Sequence, residues 1–358
     1  MNYKTILITG GAGFVGSNLA LKLKKQYPDV KIISLDNLMR RGSELNLSRL
    51  KNAGVEFIHG DIRNKEDLLN LKDKIELIIE CSAEPSVLAG TEGSPEYVIN
   101  TNLIGTYNCL ELARKDRADV VFMSTSRIYP VDGIAKLNFI EEETRFSIAP
   151  EQSVPGAAPK GFSEEFPLGK NRSFYGMTKL CSEFLINEYA AAYGIKAVIN
   201  RCSVITGPWQ MGKIDQGVAV LWVARHIWAN KHLSYIGYGG SGKQVRDFIH
   251  IDDIFDVIKT EMEDMEKHNG EIYNIGGGLE NSLSLLEMTK ICQEITGHKL
   301  EIGSIAQDRP NDVKSYITDF SKFEKSTGWK PKKNVKETLT DVHQWIMENK
   351  EQLESILN

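Results

Sequence analysis

The chain is short of cysteine, of long apolar runs and of charge of one sign. Its five cysteines, Cys81, Cys109, Cys181, Cys202 and Cys292, form no C-x-x-C pair. An odd, scattered set of this kind argues against a disulfide framework or a cysteine-held zinc and fits free thiols in a reducing compartment. No window approaches the roughly 18 uninterrupted apolar residues that suggest a membrane span. The 43 Lys and Arg are balanced by 48 Asp and Glu with no block of like sign, so the electrostatic footprint of a nucleic-acid binder or a polybasic membrane binder is missing. An anionic substrate must then be held by local groups. None of the seven histidines stands at metal-ligand spacing from another, and no catalytic metal is expected. The first residues, MNYKTILITGG, enter a strand and a glycine turn at once. That is not the charged and then apolar pattern of a signal peptide, and a cytoplasmic protein is the expectation.

What the chain does have is alternation. Short β-branched runs at 5–9, 31–35, 55–59, 76–80 and 119–124 are interleaved with helical stretches at 14–26 and 96–115, and a helix over 173–193 precedes another run at 197–201. This is the pattern of βαβ units, whose parallel strands read as continuous apolar runs because both faces are covered. It predicts an α/β fold, a Rossmann-type doubly wound parallel sheet over residues 1–205. A smaller α/β substrate-binding domain is expected over 206–358, with 246–262 returning to the first domain. The stretch 133–169 is rich in Pro and Gly, reads as loop, and is long enough to predict a functional segment or lid.

Gly10-Gly-Ala-Gly13-Phe-Val-Gly16 follows the first strand and opens a helix. Glycines there permit a tight turn and close backbone approach to a pyrophosphate at the helix N-terminus. A tight turn alone would explain a lone glycine triplet. Asp36 adds weight, lying twenty residues beyond Gly16 at the end of the next strand, where a carboxylate accepts ribose hydroxyls and repels a 2′-phosphate. NAD is therefore expected over NADP, with Arg40 and Arg41 read as a solvated loop. Asp61, just past the third strand, is either an adenine contact or a helix cap.

Tyr175 and Lys179 stand four residues apart, which places both on one face of a helix. A lysine charge beside a phenol favours the phenolate, lowering its pKa from a reference near ~10 and making a usable base. Any amphipathic helix shows this spacing by chance. Its position downstream of a dinucleotide turn is what gives it meaning. Thr125 ends the strand DVVFMST, where hydroxyls face the ligand in such sheets, with Ser124 and Ser126 beside it.

Taken together, the glycine turn, Asp36-Asn37, Gly60-Asp61-Ile62, Asn102 to Thr106, Ser124-Thr125 with Tyr129, Tyr175 with Lys179, and Arg246-Asp247 to His250 resemble the extended short-chain dehydrogenase/reductase family of nucleotide-sugar epimerases and dehydratases. Asp215 to Gly217, Gly242 to Asp247, Asn274 to Gly277 and Asn281 to Glu287 resemble its CDP-paratose 2-epimerase branch. The resemblance implies a redox-neutral epimerisation through a transient keto-sugar, with Thr125, Tyr175 and Lys179 catalytic. It implies NAD contacts from Gly10, Gly13, Phe14, Val15, Gly16, Asp36, Asn37, Asp61, Ile62, Ala83, Asn102, Tyr175, Lys179 and Cys202. Where dehydratases of the family carry Asp-Glu, this chain has Ser126-Arg127, which favours epimerase.

Arg246 resembles the family's diphosphate-binding arginine, and a planar guanidinium suits two phosphate oxygens at once. Arg309 is a possible second clamp. Gln210, Asp215, Gln216 and Gln244 are candidate sugar or base contacts, together with Ser126 and Arg127. Cys81 to Ser86 departs from the Ala-Ala-Gln type of sequence common in relatives, so Glu84 and Ser86 are expected to meet the sugar in their own way. The expected partner is a nucleotide-diphosphate sugar, with neither nucleic acid nor membrane, and a homodimer pairing helices 102–115 and 175–193 is expected. A UDP-sugar 4-epimerase and a non-catalytic NAD-binding sensor are the competing readings. Trp222 and Trp228 are expected in the core, and His250 as a packing or capping residue.

Overall fold

A computed structural model describes residues 3–212, 216–229 and 232–357. Asp215, a candidate substrate contact, lies outside the described residues. Seven strands form the main sheet: β1 (Thr5–Thr9), β2 (Lys31–Asp36), β3 (Glu56–His59), β4 (Leu77–Glu80), β5 (Asp119–Thr125), β6 (Ala197–Cys202) and β7 (Ile272–Ile275). They lie in the order β7-β6-β5-β4-β1-β2-β3, and β3, β2, β1, β4 and β5 pair in parallel. This is the doubly wound Rossmann order expected from the alternation. Strands β1, β2, β4 and β5 are buried nearly throughout, as β-branched runs covered on both faces should be.

Three helices bear on the candidate site: α1 (Phe14–Gln26), α2 (Gly105–Asp116) and α3 (Phe174–Tyr193). Ser173 caps α3 by accepting the Gly176 N–H, and Gly194 ends it in a left-handed conformation, a serine start and glycine stop that set its length. Helix α2 continues directly from a single π-helical turn over Asn100–Ile104. Phe122, Cys109, Leu110, Leu112, Ile186 and Ile199 belong to one core cluster beside this face of the sheet.

The chain divides into two compact units, each made of three segments: residues 1–128, 173–201 and 255–272 form the first, and 129–172, 202–254 and 273–358 the second. The sequence suggested a division near residue 205. Instead, residues 129–172 group with the second unit, and the return to the first begins at Phe255. The reason lies in 133–169, which reads as loop but contains two short hairpins, Phe139–Ile148 and Ala157–Phe162. These are fastened within the second unit: Phe146 donates its N–H to the Lys243 carbonyl, and Phe162 to that of Ile317. Arg145 reaches Ser282 and Glu287. In the same unit, strand Val245–His250 pairs with Val204–Thr206, Ser282–Ser284 and Ser315–Tyr316. Strand Ile302–Ile305 pairs in parallel with Leu233–Ile236.

Candidate active site

The glycine turn is packed tightly. Gly10 takes a positive φ of 62°, and a Cβ on Gly16 would come 2.3 Å from the Gly10 carbonyl oxygen, so only glycine allows the first turn of α1 to sit this close to the loop. Gly13 is the N-cap and no side chain caps the helix. The first-turn N–H groups are thus suited to an acceptor from outside the chain, such as a pyrophosphate. Asp36 closes β2 with its carboxylate accepting N–H groups from Leu38 at 2.8 Å and Ala12 at 3.1 Å. Burial pushes its pKa up, against the pull of those backbone donors. A helix terminus without a side-chain cap, a close-packed glycine turn and a carboxylate at the end of the second strand together fit a dinucleotide.

Asp61 is held by Asn37 at 2.9 Å and by the Arg63 guanidinium at 2.6 Å. Burial would raise its pKa, but Arg63 and Asn37 outweigh this and hold it down to about 2. The next helix, Lys65–Leu69, takes Asn64 as its N-cap, so Asp61 is not that cap. Asp61, Arg63, Asn64, Asn100 and Ile104 line an open depression. The Ile62 side chain lies in the core cluster, and its carbonyl accepts the Asn108 side-chain amide at 2.8 Å.

Tyr175, Lys179 and Glu183 recur every four residues along α3. Tyr175 is half-buried, whereas Lys179 and Glu183 are almost completely enclosed. The Lys179 ammonium sits 3.8 Å from the centre of the Phe122 ring on β5, a cation–π contact worth roughly 0.5–2 kcal/mol. One turn on, Glu183 accepts the Ser124 hydroxyl at 2.5 Å and pairs with Arg201 at 2.8 Å. Ser124 is thereby engaged. Its neighbour Thr125, buried at the strand end, accepts the Arg127 N–H at 3.2 Å, while Ser126 and Arg127 are half-buried.

Asn102 knits this region together from the π-helical turn. Its amide donates to the Glu84 carbonyl and the Thr178 hydroxyl, each at 3.1 Å, and accepts the Glu84 N–H at 2.8 Å. Its own carbonyl receives the hydroxyls of Thr106 and Ser182. The Glu84 carboxylate turns back to the Ser86 N–H. Ala83 is half-buried, and Cys202, which ends β6, is buried. Sequence reasoning did not single out Glu80, Glu183 or Arg201. The recurrence of Glu183 four residues after Lys179 was the one available sign.

The remaining candidates lie in the second unit. Arg246 donates to Asp312 at 2.5 Å and to the Val245 carbonyl at 2.6 Å. Gln244 is buried and donates to the Ile236 carbonyl at 2.6 Å. Gln210 is tied into its own loop through Ile205 and Thr206. Gln216 is half-buried and Arg309 exposed. Trp222 is in the core, its indole N–H on Thr289, and His250 accepts the Asp252 N–H, a capping contact. Among the described residues no cluster could hold a metal ion, and no helix is long and apolar enough to cross a membrane.

A model of the NAD dependent epimerase/dehydratase family matches residues 6–276. The chain belongs to that family. Members of it are enzymes, and this one uses NAD. Over 346 residues it is 31% identical to a CDP-paratose 2-epimerase of Salmonella typhi, covering 95% of this chain and 98% of that protein. It is similar in structure to a UDP-glucose 4-epimerase of Thermotoga maritima solved with UDP-glucose, with a TM-score of 0.78, 26% identity and coverage of 96% and 99%. It is also similar to a dTDP-glucose 4,6-dehydratase of Streptomyces venezuelae solved with NAD, with a TM-score of 0.79, 28% identity and coverage of 98% and 99%.

Proposed function

We propose that this family member epimerises a nucleotide-activated sugar, and that it does so at C2 of a CDP-sugar of the paratose and tyvelose type. The observation that carries the reading is the stripe on α3: Tyr175 and Lys179 share a face beside β5, the strand that ends in Thr125, within the unit that contains the glycine turn. The first unit serves as the NAD-binding domain in this reading, and the second supplies most of the substrate contacts.

Bound NAD would accept hydride from the reacting carbon and return it to the opposite face of a keto-sugar. Tyr175 removes the hydroxyl proton and later gives it back. Lys179 favours negative charge on the phenol and holds the nicotinamide ribose. Thr125 donates a hydrogen bond to the reacting oxygen. Arg246, with Arg309, holds the diphosphate, and Glu84, Ser126, Arg127, Gln210, Gln216 and Gln244 are the sugar and base contacts. Asp36 and Asn37 hold the adenosine ribose, and Asp61 the adenine. Ser126-Arg127 at the end of β5, in place of an acidic pair, favours epimerisation over dehydration. The likeness to the Salmonella typhi protein over nearly the full length of both chains supports the CDP-sugar.

A cytoplasmic homodimer belongs to the same reading. Ile104 and Tyr107 on one helix and Phe184 and Tyr193 on α3 are exposed, an apolar surface of the kind that pairs helices.

The test is incubation with CDP-, UDP-, GDP- and dTDP-sugars without added cofactor, in ordinary and deuterated water, with configuration followed by NMR. Inversion at C2 of a CDP-sugar without deuterium entering that carbon is expected. Inversion at C4 of a UDP-sugar would keep the chemistry and replace the substrate. No turnover, with Tyr175→Phe indistinguishable from wild type, would leave a non-catalytic NAD-binding sensor.

A further inference from the structure

We infer that Glu80 is a positioning residue for the Tyr175–Lys179 pair, the buried negative charge against which the Lys179 ammonium is held. The inference rests on the acid/base roles proposed above for that pair. Glu80 ends β4 and is 1% exposed, as is Lys179. In the parallel register Glu80 is the partner of Phe122 on β5, so the two side chains leave the sheet on the same face. Phe122 is the ring on which the Lys179 ammonium rests. Glu80 beside Phe122 in the sheet and Lys179 over its ring are therefore neighbours of the same side chain, and both are closed to water.

The carboxylate is only half satisfied by neutral donors. Oε1 accepts the Thr106 hydroxyl at 2.5 Å, while Oε2 is buried without a hydrogen-bond donor. A buried ionised group costs several kcal/mol unless it is paired, and so does a buried ammonium. The Lys179 charge offsets part of that cost for Glu80. The titratable groups around Glu80 are Lys179 from α3, Cys109 from α2 and Cys81, the residue that follows it past the end of β4. Burial raises both thiols, Cys81 to about 12, so they are neutral and Lys179 is the charge Glu80 meets. Burial likewise raises the pKa of Glu80, and the Lys179 charge and the Thr106 hydroxyl oppose it.

Without Glu80's charge, one negative charge opposing the ammonium is lost, so Lys179 would favour the Tyr175 phenolate more strongly and the phenol would ionise at lower pH. The test is Glu80→Gln in the holoenzyme, which keeps the shape and removes the charge. The acid limb of kcat/KM against pH should move down by about one unit, a tenfold change, with KM for the sugar nucleotide unchanged. Glu80→Asp should restore the wild-type limb, because it keeps the charge.

A merely structural glutamate would alter expression or melting temperature and leave the limb in place, and that result would overturn the inference. Should Glu80→Gln be too unstable to assay, a thermal-melting cycle with Lys179→Met decides: coupled shifts support the pair, and additive shifts overturn it. The outcomes separate from those of the parent reading. An active Tyr175→Phe sinks the acid/base roles, whereas an inactive Tyr175→Phe with an unmoved Glu80→Gln limb sinks only the role of Glu80.

Discussion

Ser124 gives its hydroxyl proton to Glu183 across 2.5 Å, so the strand that ends in Thr125 is fastened to the helix that presents Tyr175 and Lys179. Glu183 in turn holds Arg201 of β6 through Nε and Nη2. One carboxylate thus joins two strands to α3. Both ionic side chains are at most 5% exposed, and removing one partner strands the other charge. Glu183→Gln should cost about 3–5 kcal/mol, read as a fall in melting temperature; an unchanged melt would mean the pair contributes nothing.

Gly16→Ala is expected to fail at the dinucleotide turn. Its new methyl would meet the Gly10 carbonyl oxygen at 2.3 Å, and relieving such an overlap costs about 1–3 kcal/mol. The loop or α1 must move, so NAD binding measured by calorimetry should weaken together with stability. Binding at wild-type strength would show that this turn does not hold the cofactor.

Arg246→Ala should raise KM for the sugar nucleotide at least tenfold, since a hydrogen bond to a charged group is worth roughly 1.5–3 kcal/mol. Asp312 now neutralises that guanidinium. Asp312→Asn should therefore lower KM, or leave it unchanged, rather than raise it. Steady-state kinetics on both variants decide whether Arg246 serves the diphosphate.

Glu261 makes folding sensitive to alkali. Its carboxyl is fully buried with Asn200 as its hydrogen-bond partner, and burial pushes its pKa up to about 8. The folded form holds a proton that the unfolded chain releases at its ordinary value of 4.5. The stabilisation is whole below that value and is lost as pH rises through about 8. Chemical denaturation across this window should show declining stability, and Glu261→Gln should flatten the decline. Parallel slopes for the two proteins would refute the assignment.

The readable parts of the chain were those whose meaning is local. The glycine turn, Asp36 at a strand end and Tyr175 with Lys179 each follow from spacing along one or two elements. Glu80 and Glu183 do not. The first ends an apolar run and the second sits in an ordinary helical stretch, and both acquire a role only when β4, β5 and α3 pack together. The 133–169 segment escaped for another reason: strands of two or three residues are too short to show a period, and they form by pairing with one another.

The π-helical turn at Asn100–Ile104 sets a fixed angular offset between the short helix Glu96–Ile99 and α2. That turn takes up about one residue more than an α-helical turn, so if the same residues took the regular repeat α2 would swing by about 100°, carrying Thr106 away from Glu80 without altering either side chain. The phase of that contact is written in the width of one turn, so this helix should tolerate the loss of one residue within that turn, which a regular repeat accommodates, far better than the gain of one.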